Sequence, residues 1–279
     1  GAPEIAEVEL IAPMPEPGPN EALVYVLASE VNFNDIWAIT GIPVSSFDSH
    51  EEDIQITGSG GVALVAALGE EARREGRLKI GDLVAIYSGT SNLLSPLAGN
   101  DPMYADFSIQ GYETPTGSHA QFLVTQAPQL HPVPAELTLE EAGAYTLNLG
   151  TVVRALFTRL RIEAGKRIFV EGASTGTGLD ALKSSISAGL KATGLVSTDE
   201  RARSIVEAGA VGAINRKRKD LAALFTAVPE DPHEAKAWEQ AGAPLLDAYR
   251  QANDGALADF AVSHAGETAF PRTFQLLAD

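Results

Sequence analysis

The stretch Arg167-Ile-Phe-Val-Glu-Gly-Ala-Ser-Thr-Gly-Thr-Gly178 decides the fold. Residues 168–170 are a short apolar run of the kind that forms a buried parallel strand. A glycine-rich turn follows at once, and residues 179–188 continue with helical spacing. Strand, glycine turn and helix together present helix N-terminal amides to a phosphate. Gly172, Ser174, Thr175, Gly176 and Gly178 are therefore candidate dinucleotide contacts. The same letters contain Gly172-Ala-Ser174-Thr-Gly176, which also fits the G-x-S-x-G elbow of a hydrolase.

The flanking sequence chooses between the two. Strand at 192–196, helix at 200–208 and strand at 211–214 complete a βαβαβ unit. A hydrolase would need Ser174, then an acid such as Asp247, Asp254 or Asp259, then His264. That order exists, but no HGGG-type oxyanion segment does, and no strand–helix units precede the turn. The dinucleotide reading makes its own demand at the end of the second strand. There an acid would bind the ribose of NAD, whereas hydroxyls and cations accommodate the 2′-phosphate of NADP. Val196 is followed by Ser197-Thr198, with Arg201 and Arg203 one turn on. Arg216, after the third strand, can serve the same phosphate, so the charge pattern favours NADPH. Asp199 and Glu200 lie beside it.

Upstream, strand-like runs at 22–27, 61–68, 83–87 and 120–124 are separated by turn signals and lack long helices, as in a small β-barrel-like domain. Residues 130–134 read as a proline-broken connector. Thr138 and Glu141 form a capping box that opens helices at 139–149 and 152–160. The expected class is thus α/β with a β-rich part, a β domain over 1–137 preceding a nucleotide-binding domain over 138–279. Residues 216–256 interrupt the rhythm with a charged segment, helical at 220–228 and 234–251, before a strand at 260–262. Doubly wound domains carry further strands, so the reading is of a C-terminally incomplete domain within a larger polypeptide.

The 279 residues carry a net charge of −17, which argues against nucleic acid as a partner. Two basic clusters, Arg73-Arg74-Arg77-Lys79 and Arg216-Lys217-Arg218-Lys219, read as solvated faces or as local anion contacts. No apolar run is long enough to cross a bilayer. The acidic start lacks the features of a signal peptide. With no cysteine in the chain, a cytoplasmic location is the expectation, and disulfides and thiolate metal sites are excluded.

Six segments carry a resemblance: Val31-Asn-Phe-Asn-Asp-Ile-Trp-Ala38, Ile56-Thr-Gly-Ser-Gly60, Gly111-Tyr-Glu-Thr114, Gly117-Ser-His-Ala-Gln-Phe122, Tyr145-Thr-Leu147 and Ser263-His-Ala-Gly-Glu-Thr268. With the order of domains, they make the chain similar to the medium-chain dehydrogenase/reductase superfamily, whose members join a GroES-like domain to a Rossmann domain. Within it the chain resembles the crotonyl-CoA carboxylase/reductase and acrylyl-CoA reductase branch. It is similar in particular to the enoyl-CoA reductase part of propionyl-CoA synthases, which are multidomain fusions. The resemblance implies NADPH as cofactor and no metal. It implies hydride transfer to the β-carbon of a short unsaturated acyl-CoA, and an enolate quenched by a proton or by CO2. It places Asn34, Tyr112, Glu113 and His264 at the catalytic positions, those that hold CO2 in the carboxylating relatives, and Thr146 and Thr151 toward the nicotinamide. It also implies homo-oligomers joined at sheet edges. Two letters depart from the branch: Thr175 and Thr177 stand where glycine and an apolar residue are usual. A β-branched residue at 175 crowds the approach of backbone to pyrophosphate. Quinone reduction and a non-catalytic NADPH-binding module are the other functions this sequence admits.

Overall fold

Apolar residues at 22, 24 and 26 set the inner face of the first long strand, β1 (Glu21–Ser29), with Ala22 and Val24 fully buried. The computed structural model describes residues 8–92, 95–99, 101–264, 266 and 268–278. β1 pairs antiparallel with β2 (Gly60–Leu68) and β6 (Phe122–Gln126), and β3 (Leu83–Tyr87) extends the sheet to β7 (Leu130–Pro132). The sheet order is β6-β1-β2-β3-β7, and a two-stranded ladder joins β4 (Gly89–Thr90) to β5 (Ser108–Ile109). The stretch expected as a connector at 130–134 is in part this edge strand. Pro132 is tolerated because an edge strand needs fewer donors. A core of Ala22, Val24, Val65, Val84, Ile86, Leu123 and Leu130 lies beneath the sheet.

The chain divides into two compact units, Gly1–Gly150 and Thr151–Asp279. The division falls after 150, not at 138, because helix Leu139–Ala144 belongs to the β sheet. A Cβ at Gly143 would touch Ala28 and Val62 at 3.6 Å. The next helix, Thr146–Val153, is fixed by the Thr146 hydroxyl, which donates to the Ile86 carbonyl at 2.6 Å. It runs on as a π-helix over Arg154–Leu160.

In the second unit, β8 (Arg167–Glu171), β9 (Lys191–Val196), β10 (Gly212–Asn215) and β11 (Phe260–Val262) are parallel, in the order β10-β9-β8-β11. This is the doubly wound pattern, and chain order reverses between β8 and β11. One side of the sheet buries Val152, Leu156, Ile168, Val170, Leu182 and Ile205, and the other Phe169, Leu195, Leu221, Leu245 and Tyr249. The charged insertion forms helices Pro232–Ala241 and Ala243–Ala252. Of the helix expected at 220–228, only one turn forms, Ala222–Leu224. Pro229 cannot continue it, and Leu221 is held in the core. Arg272, 1% exposed, sits 3.5 Å from the Trp238 ring and donates to the carbonyls of Leu224 and Trp238.

Tyr249 meets Phe169 edge-on at 5.8 Å, yet its buried hydroxyl has no partner among the described residues. Burial without a partner costs free energy. Tyr249→Phe should therefore leave the urea midpoint unchanged or raise it. A loss above about 1 kcal/mol would mean that the hydroxyl is hydrogen-bonded.

Candidate functional site

β8 ends in Glu171, and Gly172 turns the chain with a φ of 63°, a left-handed conformation that favours glycine. The Thr175 amide closes the turn onto the Gly172 carbonyl at 2.9 Å. Thr175 then caps helix Gly176–Ser187, its Oγ1 accepting from the Gly178 amide at 3.3 Å. A Cβ on Gly178 would collide with the Gly172 carbonyl, so helix and strand meet with no room for a side chain. Ser174 and Thr175 face Ser197, Arg201 and Arg216 across a cavity of about 110 Å³. The turn and the cationic side proposed from sequence are thus brought together, at the carboxyl ends of β8 and β9.

Arg201 donates to Ser197 Oγ at 3.1 Å, while Thr198 caps helix Asp199–Glu207. The Asp199 carboxylate accepts from the Asn215 side-chain amide at 2.7 Å, so this acid is already engaged. The Arg216 amide bonds the Val196 carbonyl at 2.8 Å, which seats its side chain at the cavity wall. A nucleotide phosphate beside two guanidiniums and a serine hydroxyl fits this donor set. Thr151 lies on the helix that opens the second unit and is exposed.

His264 follows β11 and reaches the same turn. Its Nε2 is 3.0 Å from Thr175 Oγ1. Burial lowers the His264 pKa, and the nearby charge of Glu171 pulls it the other way. Glu171 is 1% exposed. Its Oε2 accepts from Ser263 and, at 3.3 Å, from Thr273, while Oε1 is buried with no hydrogen-bond partner among the described residues. The hydrolase reading of Ser174 finds no support here: His264 bonds Thr175, not Ser174. Ala265 and Glu267 of the segment 263–268 lie outside the described residues.

In the first unit, Asn34 stands in the first turn of helix Phe33–Thr40. Asn32 caps it, accepting from the Asn34 amide at 2.8 Å, and Asp35 returns a bond to the Asn32 amide at 2.7 Å. Asp35 is fully buried, and its other oxygen accepts from the Gly58 amide at 3.0 Å. The Gly58 carbonyl leaves no room for a side chain at Gly111, whose φ is 81°. Asp35 thereby ties the Asn34 helix to the loop that packs under Tyr112 and Glu113. The Tyr112 ring lies 6.4 Å from Trp37, and its hydroxyl is 3.5 Å from the Val44 carbonyl. The Glu113 carboxylate accepts from the Ile109 amide at 2.8 Å, so one of its oxygens serves the local turn. Thr146, expected near a nicotinamide, spends its proton on Ile86.

Sequence reasoning missed Asp35 and Glu30. The signal for Asp35 was present: an Asn followed three residues later by an acid is a capping-box spacing. Glu30 is 9% exposed, and its pKa is pushed up to about 8, first by burial and second by the charge of Asp35. Among the described residues, no group of three or more His, Asp or Glu side chains is gathered to hold a metal. Among the described residues, no helix is long and apolar enough to cross a membrane.

Residues 18–135 match the alcohol dehydrogenase GroES-like domain. The crotonyl-CoA carboxylase/reductase of Cereibacter sphaeroides is 36% identical over 277 residues, covering 97% of this chain and 63% of the relative. A solved crotonyl-CoA carboxylase/reductase superposes with a TM-score of 0.92 at 32% identity, over 99% of this chain and 65% of that one. The chain belongs to the medium-chain dehydrogenase/reductase superfamily, in the crotonyl-CoA carboxylase/reductase branch. A 2-octenoyl-CoA carboxylase reductase, solved with NADP and 2-octenoyl-CoA, gives a TM-score of 0.84 at 27% identity, over 95% of this chain and 61% of that one. The chain thus spans less than two thirds of each of these relatives.

The pair Glu30 and Asp35 yields a pH prediction. Between the ordinary value of 4.5 and about 8, the folded chain holds a proton on Glu30 that the unfolded chain has released. Stability should fall as pH rises through that window and level off above it, at about 1.4 kcal/mol per unit of difference. Glu30→Gln should flatten the slope. Parallel slopes for the two proteins in urea melts from pH 5 to 8 would show that Glu30 is ionised in the folded chain.

Proposed function

We propose that this chain reduces a short α,β-unsaturated acyl-CoA with NADPH. The observation that carries the reading is the cavity at the end of β8 and β9. There, Gly172, Ser174 and Thr175 of the turn face Ser197, Arg201 and Arg216, and the adjacent acid, Asp199, is engaged by Asn215. The branch supports the acyl-CoA part, since relatives are named for crotonyl-CoA and one is solved with an enoyl-CoA.

Bound NADPH would supply the hydride to the β-carbon of the acyl group. The chain's own work is binding and charge control. Gly172, Ser174, Thr175, Gly176 and Gly178 would hold the pyrophosphate at a helix N-terminus. Ser197, Arg201 and Arg216 would hold the 2′-phosphate, and Thr151 would contact the nicotinamide side. The side-chain amide of Asn34 is a donor for the thioester oxygen, where negative charge develops as the enolate forms. Tyr112 and Glu113 would wall the same pocket, and a proton delivered at the α-carbon completes the reduction. Acrylyl-CoA is our first substrate. We place the chain as the reductase part of a larger, cytoplasmic, multidomain and homo-oligomeric polypeptide.

Reductive carboxylation is the second reading, favoured by the names of the relatives. The commitment of His264 Nε2 to Thr175 weighs against it, since that nitrogen has no second proton to offer.

The test uses the full polypeptide, anaerobically, with acrylyl-CoA and crotonyl-CoA and with labelled CO2. NADPH oxidation without label in the product is expected, whereas label in the product would establish the second reading. No oxidation with either acyl-CoA would overturn the proposal, and oxidation with a quinone would replace it. Arg201→Ala should lower kcat/KM for NADPH roughly 10- to 100-fold and leave that for NADH nearly unchanged, as loss of a charge-assisted hydrogen bond requires.

A further inference from the structure

Thr175 departs from the branch pattern, and the structure gives that departure a use. We infer that Thr175 is a positioning residue that commits the His264 imidazole to the phosphate turn. Occupancy of the turn by a dinucleotide diphosphate and the state of that ring are thereby coupled. The inference rests on the dinucleotide reading of the cavity.

The argument is an inventory of one hydroxyl. Thr175 Oγ1 owns one proton and can accept two. The Gly172 carbonyl, at 2.9 Å, can only accept, so it takes the hydroxyl proton. The Gly178 amide, at 3.3 Å, can only donate, so it fills one lone pair. His264 Nε2, at 3.0 Å, is left to donate into the other. With the hydroxyl proton on the Gly172 carbonyl, the ring carries its own proton on Nε2, and Nδ1 remains as its acceptor.

The placement is equally constrained. His264 Cε1 lies 3.2 Å from where a Cβ on Gly172 would be and 3.0 Å from where one on Gly178 would be. The imidazole thus fills the space that two side chains would need, and stands beside the turn with part of its surface in solvent. The segment entering His264 is held as well, because Ser263 donates to Glu171 Oε2, which Thr273 also reaches at 3.3 Å. Glu171 and Thr175 stand on either side of the same turn, so strand β11 is latched to strand β8 at two points. Those strands flank the place where chain order reverses, at which open α/β sheets bind their ligands. A diphosphate on the amides of this helix changes the surroundings of Gly178 and Thr175, and through Thr175 those of His264.

The experiment is nitrogen-15 histidine NMR on the full chain, with His264 assigned by its loss in His264→Gln. The wild type should show His264 as the Nε2–H tautomer, with a resonance that shifts on addition of NADPH. Thr175→Ser, which keeps the hydroxyl, should preserve the tautomer. Thr175→Val should abolish the tautomer signature and weaken NADPH roughly tenfold, with an unchanged circular dichroism spectrum. An Nδ1–H ring in the wild type overturns the inference, and so does a Thr175→Val protein with unchanged signature and Kd. Should Thr175→Val fail to fold, the wild-type tautomer alone decides. If NADPH neither binds nor shifts any histidine, the functional reading fails, while the tautomer result still stands or falls by itself.

Discussion

The second unit depends on how closely Gly178 approaches the carbonyl of Gly172. That contact sets the distance between helix Gly176–Ser187 and the end of β8, and with it the direction of the helix N-terminal amides. Alanine at 178 would push the helix away from the strand, and alanine at 172 would also have to adopt a left-handed backbone. The cavity, the position of Ser174 and the seating of His264 all follow from this one approach.

Asp35 has the corresponding role in the first unit, by charge in place of close packing. A buried carboxylate holding two backbone amides is a strong, directional tie. It joins helix Phe33–Thr40 to the loop around Gly58, which in turn packs under Gly111. Asn34 and Tyr112 are distant in sequence, yet the segments carrying both are anchored through this side chain.

Much of this was legible in the residues. The alternation of strands and helices over 168–214 reports its period directly, and the meeting of Ser197, Arg201 and Arg216 around one cavity was readable from their places at strand ends. The boundary was not, because the capping box at Thr138 and Glu141 marks the start of a helix and not the sheet against which that helix packs. The helix expected at 220–228 failed for a related reason: helical composition is a weak preference, and burial of Leu221 overrides it. The latch between Thr175 and His264 joins residues 89 apart, and nothing in local spacing announces a pair of that kind. Thr175 read alone was an obstruction, and only its partners make it a cap and a clamp.

Glu30 has a consequence for the chemistry of folding itself. The formal charge of −17 counts every acid as ionised, yet near neutral pH this one keeps its proton in the folded chain. Folding of the first unit is therefore a reaction that takes a proton from the medium. Its enthalpy must include the heat of ionising whichever buffer gives up that proton, so the same chain will report different calorimetric enthalpies in buffers of equal pH.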